Sequence, residues 1–262
     1  MDSFWGIWIA IFVVLAGAAI GSFLNVCISR IPEGVSIVRP ASRCPTCGHP
    51  IRFYDNIPVV SYLLLRGKCR DCGERISCRY PMIEIMTAFF AFITFQKYGL
   101  TPLALVVFLF ICVLIVISFI DLDHQIIPHV LTLTGIPVFA ILSILFKGLP
   151  PLDAFFGIMV GAGSLYFVAV YYEAITGREG MGGGDVNLFA MLGAFFGWKP
   201  LALIILISSL TGAVIGIAVM LIKGKDMKYA VPFGPFLSLG GIIYLFWGES
   251  LAGLLFYAQS RD

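Results

Sequence analysis

Asp121, in the run Phe119-Ile120-Asp121-Leu122-Asp123, and Asp185, directly behind Gly182-Gly183-Gly184, both stand at the border of a long apolar stretch. An ionisable group in or beside hydrocarbon costs kilocalories and is retained for chemistry, transport or pairing. Two aspartates held a few ångströms apart cannot both ionise cheaply, so one keeps a proton while the other is charged. Such a pair can hydrolyse a peptide. The charged member deprotonates a water that attacks the scissile carbonyl, and the protonated member polarises that carbonyl and then supplies the proton of the leaving amine. Asp123 reads as a solvated helix end, whereas Asp121 lies one step deeper, immediately after Ile120.

Two plainer readings exist for Gly182-Gly183-Gly184-Asp185. The aspartate could be the N-cap of a helix starting at Val186, or the glycines could cradle a phosphate. No strand precedes the run and no Lys-Ser/Thr follows it, which excludes a Walker loop and leaves a dinucleotide fingerprint very weak. Gly182 and Gly184 can instead admit an extended substrate peptide beside the carboxylate, because glycine has no Cβ to keep another backbone away.

The elements that must position these acids are membrane spans. Of the 262 residues 60% are hydrophobic and 12% charged, against about 45–50% and about 25% in soluble domains. The expectation is an all-α polytopic membrane protein. Eight apolar stretches approach the length of about 20 residues that crosses a bilayer: Phe4–Ser29, Tyr80–Gln96, Pro102–Ile120, Ile126–Phe146, Ala154–Tyr172, Asn187–Trp198, Leu201–Ile222 and Ala230–Gly248. The first lacks a basic start and a clear small-residue cleavage site, so it reads as a retained span. The sixth is short, and is either a separate crossing behind a re-entrant loop or part of one long bent span.

Basic residues set the orientation, since short cytoplasmic loops collect Lys and Arg. With eight crossings and an outside N-terminus, thirteen of the 17 Lys and Arg lie inside, nine of them in Arg30–Arg79. Lys97, Lys147, Lys199 and Arg261 are left outside. Seven crossings would worsen the split, and in either case Asp121, Asp123 and Asp185 share the cytoplasmic side.

The soluble segment between the first two spans carries Cys44-Pro45-Thr46-Cys47-Gly48 and Cys69-Arg70-Asp71-Cys72-Gly73. Two C-x-x-C knuckles, each followed by glycine, resemble a zinc ribbon in which Cys44, Cys47, Cys69 and Cys72 give four thiolates to one tetrahedral metal. Paired disulfides or a redox pair are the alternatives, and a cytoplasmic location disfavours stable disulfides. Four thiolates close the coordination shell, so the zinc is expected to be structural, a staple for a segment too small to build its own core. Cys78 is a spare thiol, His49 a solvated loop residue, and Cys27 and Cys112 packing residues within apolar spans. The expected organisation is a first span over 1–29, a cytoplasmic zinc-binding loop over 30–79 and a transmembrane peptidase bundle over 80–262.

Asp121 with Pro128 seven residues on, and Gly182-x-Gly184-Asp185 opening a helix, resemble the intramembrane aspartic peptidases that process type IV prepilins. Gly21-Ser22-Phe23-Leu24-Asn25-Val26, the two cysteine knuckles and Arg79-Tyr80-Pro81-Met82-Ile83-Glu84 are similar to the bifunctional bacterial members of that family. The resemblance covers essentially the whole chain. It implies a leader peptidase that cuts prepilins or pseudopilins at the cytoplasmic face of the bacterial inner membrane, with Asp121 and Asp185 as its catalytic pair. It also implies N-methylation of the new amino terminus with S-adenosylmethionine. Lipid is the implied surrounding, and nucleic acid is not an implied partner. No Rossmann pattern is present, so the residues that hold the methyl donor are open; Glu84, Ser22 and Asn25 are the candidates, with helix packing or capping as their alternative role.

Two other classes fit parts of the pattern. A proton-coupled transporter also keeps acids in spans, but it shows internal repeats and a midplane site. A zinc-ribbon membrane scaffold would use the knuckles to bind a partner and the aspartates as helix caps.

Overall fold

The computed structural model describes residues 3–177, 180–223 and 232–257. Arg178, Lys225, Lys228 and Arg261, used in the charge count, and Ala230, expected to open the last span, lie outside the described residues. The described residues form nine α-helices: α1 (Ser3–Arg30), α2 (Val60–Leu64), α3 (Arg79–Tyr98), α4 (Pro102–His124), α5 (His129–Leu142), α6 (Pro151–Thr176), α7 (Gly183–Phe196), α8 (Leu201–Lys223) and α9 (Gly234–Tyr257). A 3-10 turn covers Phe53–Asn56, and a π turn, Ser143–Lys147, extends α5. In place of strands the described residues hold two isolated bridges, Arg43 with Pro50 and Lys68 with Arg75.

Among the described residues five helices are long and apolar enough to cross a membrane: α1, α4, α5 with its π turn, α6 and α8. The count of eight is not reached on that criterion. The 14-residue α7 is only about 21 Å long, short of the roughly 30 Å of bilayer hydrocarbon. It is a helix of its own rather than half of a bent span, since Gly197 with φ +83° ends it and α8 starts at Leu201. The outward apolar side chains, Phe12, Leu15, Phe167 and Leu221 among them, are those of helices solvated by lipid.

The chain divides into two compact units, Met1–Val116 and Ile117–Asp262. In the first, α1 packs along α3. Gly17 and Gly21 allow it, because a Cβ at Gly17 would stand 2.9 Å from Ala88 Cα and one at Gly21 2.7 Å from Glu84 Cα. Small residues let two backbones approach in this way where lipid gives no hydrophobic drive for helices to associate.

In the second unit α7 is the central element, packed by α5, α6 and α9, with every residue from Leu188 to Phe196 buried. It runs antiparallel to α6 in a tight register. A Cβ on either Gly157 or Gly193 would strike the other's carbonyl, and one on Gly161 would lie 2.6 Å from the Phe189 carbonyl oxygen. The far end of α7 is capped by side chains. Ser143 Oγ donates to the Phe195 carbonyl at 2.8 Å and Lys147 Nζ to the same oxygen at 3.2 Å, which satisfies a carbonyl that the helix end leaves open.

Candidate active site and cysteine cluster

Asp121 sits in the last turn of α4, inside the helix rather than just past it, and is buried. Gln125 ends α4 in a left-handed conformation (φ +54°), its N–H donating to the Asp121 carbonyl at 2.9 Å. Pro128 then starts α5 as its N-cap. Between these two punctuations Ile127 turns inward and is buried, while Leu122, Asp123 and Ile126 stay exposed. The exposure of Asp123 agrees with its reading as a solvated helix end.

Asp185 is not the N-cap that the plainer reading made it. α7 begins at Gly183 with Gly182 as its N-cap, so Asp185 is the third helical residue, its N–H bonded to the Gly182 carbonyl at 3.1 Å. A carboxylate there suits the positive end of the helix dipole, yet Oδ1 is buried with no hydrogen-bond partner. The first influence on this carboxyl is burial, and the charged group acting on it is Asp121. Gly184, directly before Asp185, and Gly234, whose N–H meets Asp121, both lie against Ile127, so the two acids are on either side of one side chain within the second unit.

Two residues that sequence reasoning missed complete this site. The N–H of Gly234, at the start of α9, donates to Asp121 Oδ2 at 3.0 Å. Ile127 lies against both glycine positions: a Cβ at Gly184 would stand 2.7 Å from Ile127 Cβ, and one at Gly234 would stand 2.9 Å from Ile127 Cδ1 and 2.6 Å from Asp121 Oδ2. The signal for Gly234 was local, a glycine between Phe233 and Pro235 at a helix start. Gly182 differs from Gly184. It is exposed, and a Cβ there would make only loose contacts, with Asp185 Oδ2 at 3.9 Å and Gly184 N at 4.0 Å. On α5, His129 Nδ1 lies 3.1 Å from Asn187 Nδ2 and ties the start of that helix to α7.

In the first unit, the Sγ atoms of Cys44, Cys47, Cys69 and Cys72 lie within 4.8 Å of one another. The two knuckles are built alike. In one, Cys44 N–H donates to the His49 carbonyl and Gly48 N–H to the Cys44 carbonyl, both at 2.9 Å; in the other, Cys69 N–H donates to Glu74 at 2.8 Å and Gly73 N–H to Cys69 at 3.0 Å. Gly48 and Gly73 take φ of +72° and +73°, a conformation open to glycine without cost. The Sγ atoms of Cys44 and Cys72 are 3.9 Å apart, and sulfurs about 2.3 Å from a tetrahedral zinc would stand about 3.8 Å from each other. The donor set thus fits zinc. The backbone N–H groups of Cys47 and then Thr46 bring the Cys44 thiol down to about 6, while burial and the neighbouring thiols push those of Cys47 and Cys72 up, so without a metal the four do not ionise together. All seven cysteines are free; Cys27 and Cys112 are buried and Cys78 is exposed.

The family model for the type IV leader peptidase family matches residues 108–217, and that for the bacterial peptidase A24 N-terminal domain matches 15–98. A prepilin leader peptidase/N-methyltransferase of Pseudomonas putida is 38% identical over 92% of this chain and 93% of its own length. The chain belongs to the type IV leader peptidase family. Within that family, similarly named proteins of Pseudomonas aeruginosa and Myxococcus xanthus are 39% and 41% identical, over 91% and 86% of this chain and 90% and 67% of their own lengths. No solved structure matches. The leader peptidase match contains Asp121, Ile127 and Asp185, and the N-terminal match contains the cysteine cluster together with Ser22, Asn25 and Glu84. Gly234 lies beyond both.

Proposed function

We propose that this protein is an intramembrane aspartic endopeptidase that removes the leader of prepilins or pseudopilins, and that it also N-methylates the exposed amino terminus. The observation that carries the reading is the pair in the second unit, buried Asp121 fixed by the Gly234 N–H and half-buried Asp185 with its Oδ1 buried and unpartnered. Asp121, with one oxygen already accepting a hydrogen bond, is suited to the charged role and deprotonates water; Asp185 carries the shared proton, polarises the scissile carbonyl and protonates the leaving amine. Gly182 and Gly184 flank the carboxylate, and Gly182, exposed and sterically open, leaves room for an extended peptide.

Zinc held by Cys44, Cys47, Cys69 and Cys72 is structural in this reading, since four thiolates leave no open coordination position for a reactant. S-adenosylmethionine supplies the methyl group, and the peptidase pair accounts for none of the buried polar groups of the first unit. The protein is placed in the bacterial inner membrane with its pair facing the cytoplasm, which follows the distribution of Lys and Arg. The relatives do not favour a transporter or a scaffold. Incubating the purified protein in detergent with a prepilin, beside the Asp121→Asn and Asp185→Asn variants, tests the peptidase. Cutting by wild type alone supports it, and undiminished cutting by both variants removes it.

A further inference from the structure

Glu84 is a buried carboxylate on α3 that the peptidase chemistry does not use. Its Oε2 accepts the N–H of Val59 at 2.7 Å, and the Ser22 side chain of α1 helps to favour the ionised carboxylate. Val59 has φ +62° and ψ −48°, and the N–H of Val60 donates to the Pro58 carbonyl at 2.6 Å. Pro58-Val59-Val60 is therefore a γ-turn of the rare, strained hand. A β-branched residue at positive φ is an outlier that persists only when its surroundings over-determine it.

From this turn a chain of contacts leads to the cysteine cluster. Ser61 Oγ donates to the Tyr54 carbonyl at 2.8 Å and accepts the Ile57 N–H at 3.1 Å, which folds the segment back on itself. The neighbouring Asp55 receives Arg70 in a two-pronged pair, with contacts of 2.6 and 2.9 Å, and Arg70 lies inside the second knuckle, between Cys69 and Cys72. On the helix side, Asn25 Nδ2 donates to the Tyr80 carbonyl at 3.2 Å and locks α1 to the start of α3.

We propose that Glu84 is a positioning residue for methyl transfer: its carboxylate holds the strained Val59 turn and thereby fixes the cysteine-rich loop against the α1–α3 pair. The inference rests on the reading that the first unit carries the methylation. Glutamate is suited because it is a strong acceptor whose lone pairs can serve Val59 and Ser22 together. The role is geometric, so an uncharged acceptor of the same shape serves nearly as well.

The test uses the full-length protein with a pre-cleaved pilin peptide and S-adenosylmethionine, reading methylation kcat and KM, prepilin cleavage, zinc content and amide hydrogen exchange over 54–66. Glu84→Leu is expected to lower methylation kcat by about tenfold or more, with faster exchange at Val59 and with zinc content and cleavage unchanged. Glu84→Gln, whose amide oxygen still accepts the Val59 N–H, is expected to retain most methylation and slow exchange. Val59→Gly, which adopts the turn without strain, is expected to restore methylation when combined with Glu84→Leu. Glu84→Gln as damaged as Glu84→Leu, with normal exchange, would overturn the proposal in favour of a chemical role for the charge; unchanged exchange in Glu84→Leu would overturn it outright. If Glu84→Leu does not accumulate, the double variant decides: its recovery supports the clamp and its failure ends it. A wild type that cleaves but never methylates removes the methyl-transfer reading, while the exchange data still judge the clamp.

Discussion

The backbone N–H of Gly234 reaches Asp121 Oδ2 at 3.0 Å, so the start of the last described helix holds a carboxylate supplied by the fourth. A methyl group on Gly234 would stand 2.6 Å from that oxygen. Gly234→Ala should therefore displace the carboxylate and cut prepilin cleavage by about tenfold to a hundredfold, with methylation of a pre-cleaved pilin unchanged. Normal cleavage by this variant would show that the contact does not shape the pair.

Asp121→Asn and Asp185→Asn are each expected to lower cleavage by roughly a thousandfold, in the range for loss of a general acid or base. Asp123, which is exposed, should tolerate the same change. The reverse pattern in steady-state cleavage rates would reassign the pair.

Cleavage should follow a bell-shaped pH profile. At low pH both carboxyls are protonated and no base remains; at high pH both are ionised and no acid remains, so activity falls on each side of the singly protonated state. A rate that rises to a plateau with pH and never declines would show that only one ionisation matters.

Gly184→Ala should be harmful because its Cβ would stand 2.7 Å from Ile127 Cβ, whereas Gly183→Ala meets nothing within 4 Å and should be mild. Removing that Cβ by combining Gly184→Ala with Ile127→Gly should recover cleavage. Failure to recover would mean that the glycine is needed for the substrate backbone rather than for internal packing.

Metal analysis of the purified protein should give about one zinc per chain, and Cys44→Ser or Cys72→Ser should lower it and make Arg30–Arg79 more sensitive to protease. Zinc should be lost as the pH falls, because the ligating thiolates take up protons. Metal-free protein with the cysteines joined as disulfides would contradict the assignment.

Much of this was legible in the chain. Asp121, Asp185 and the four cysteines announced themselves because each is a residue type out of keeping with its surroundings, and helix positions followed from apolar length. Ile127 was not legible, because an inward turn between Gln125 and Pro128 leaves no chemical mark on the sequence. Gly234 left only the local mark of a glycine before Pro235, which says nothing of the carboxylate that its N–H meets. The helix starts were also misplaced where glycine was involved. The plainer reading of the glycines as loop put Asp185 at a cap, when Gly183 and Gly184 form the first turn of α7 and carry the acid into the helix.

The register of α6 against α7 pairs Gly157 with Gly193 and Gly161 with Phe189, which sets Asp185 level with Leu165. From there α6 continues to Thr176, about 16 Å further along its axis. Tyr166, Phe167, Tyr171 and Tyr172, all exposed, lie on that extra length. Asp185 thus lies about three turns down from the end of its longest neighbour. A side chain that pushed α6 away from α7 at Gly157 or Gly193 would therefore move Asp185 without touching it.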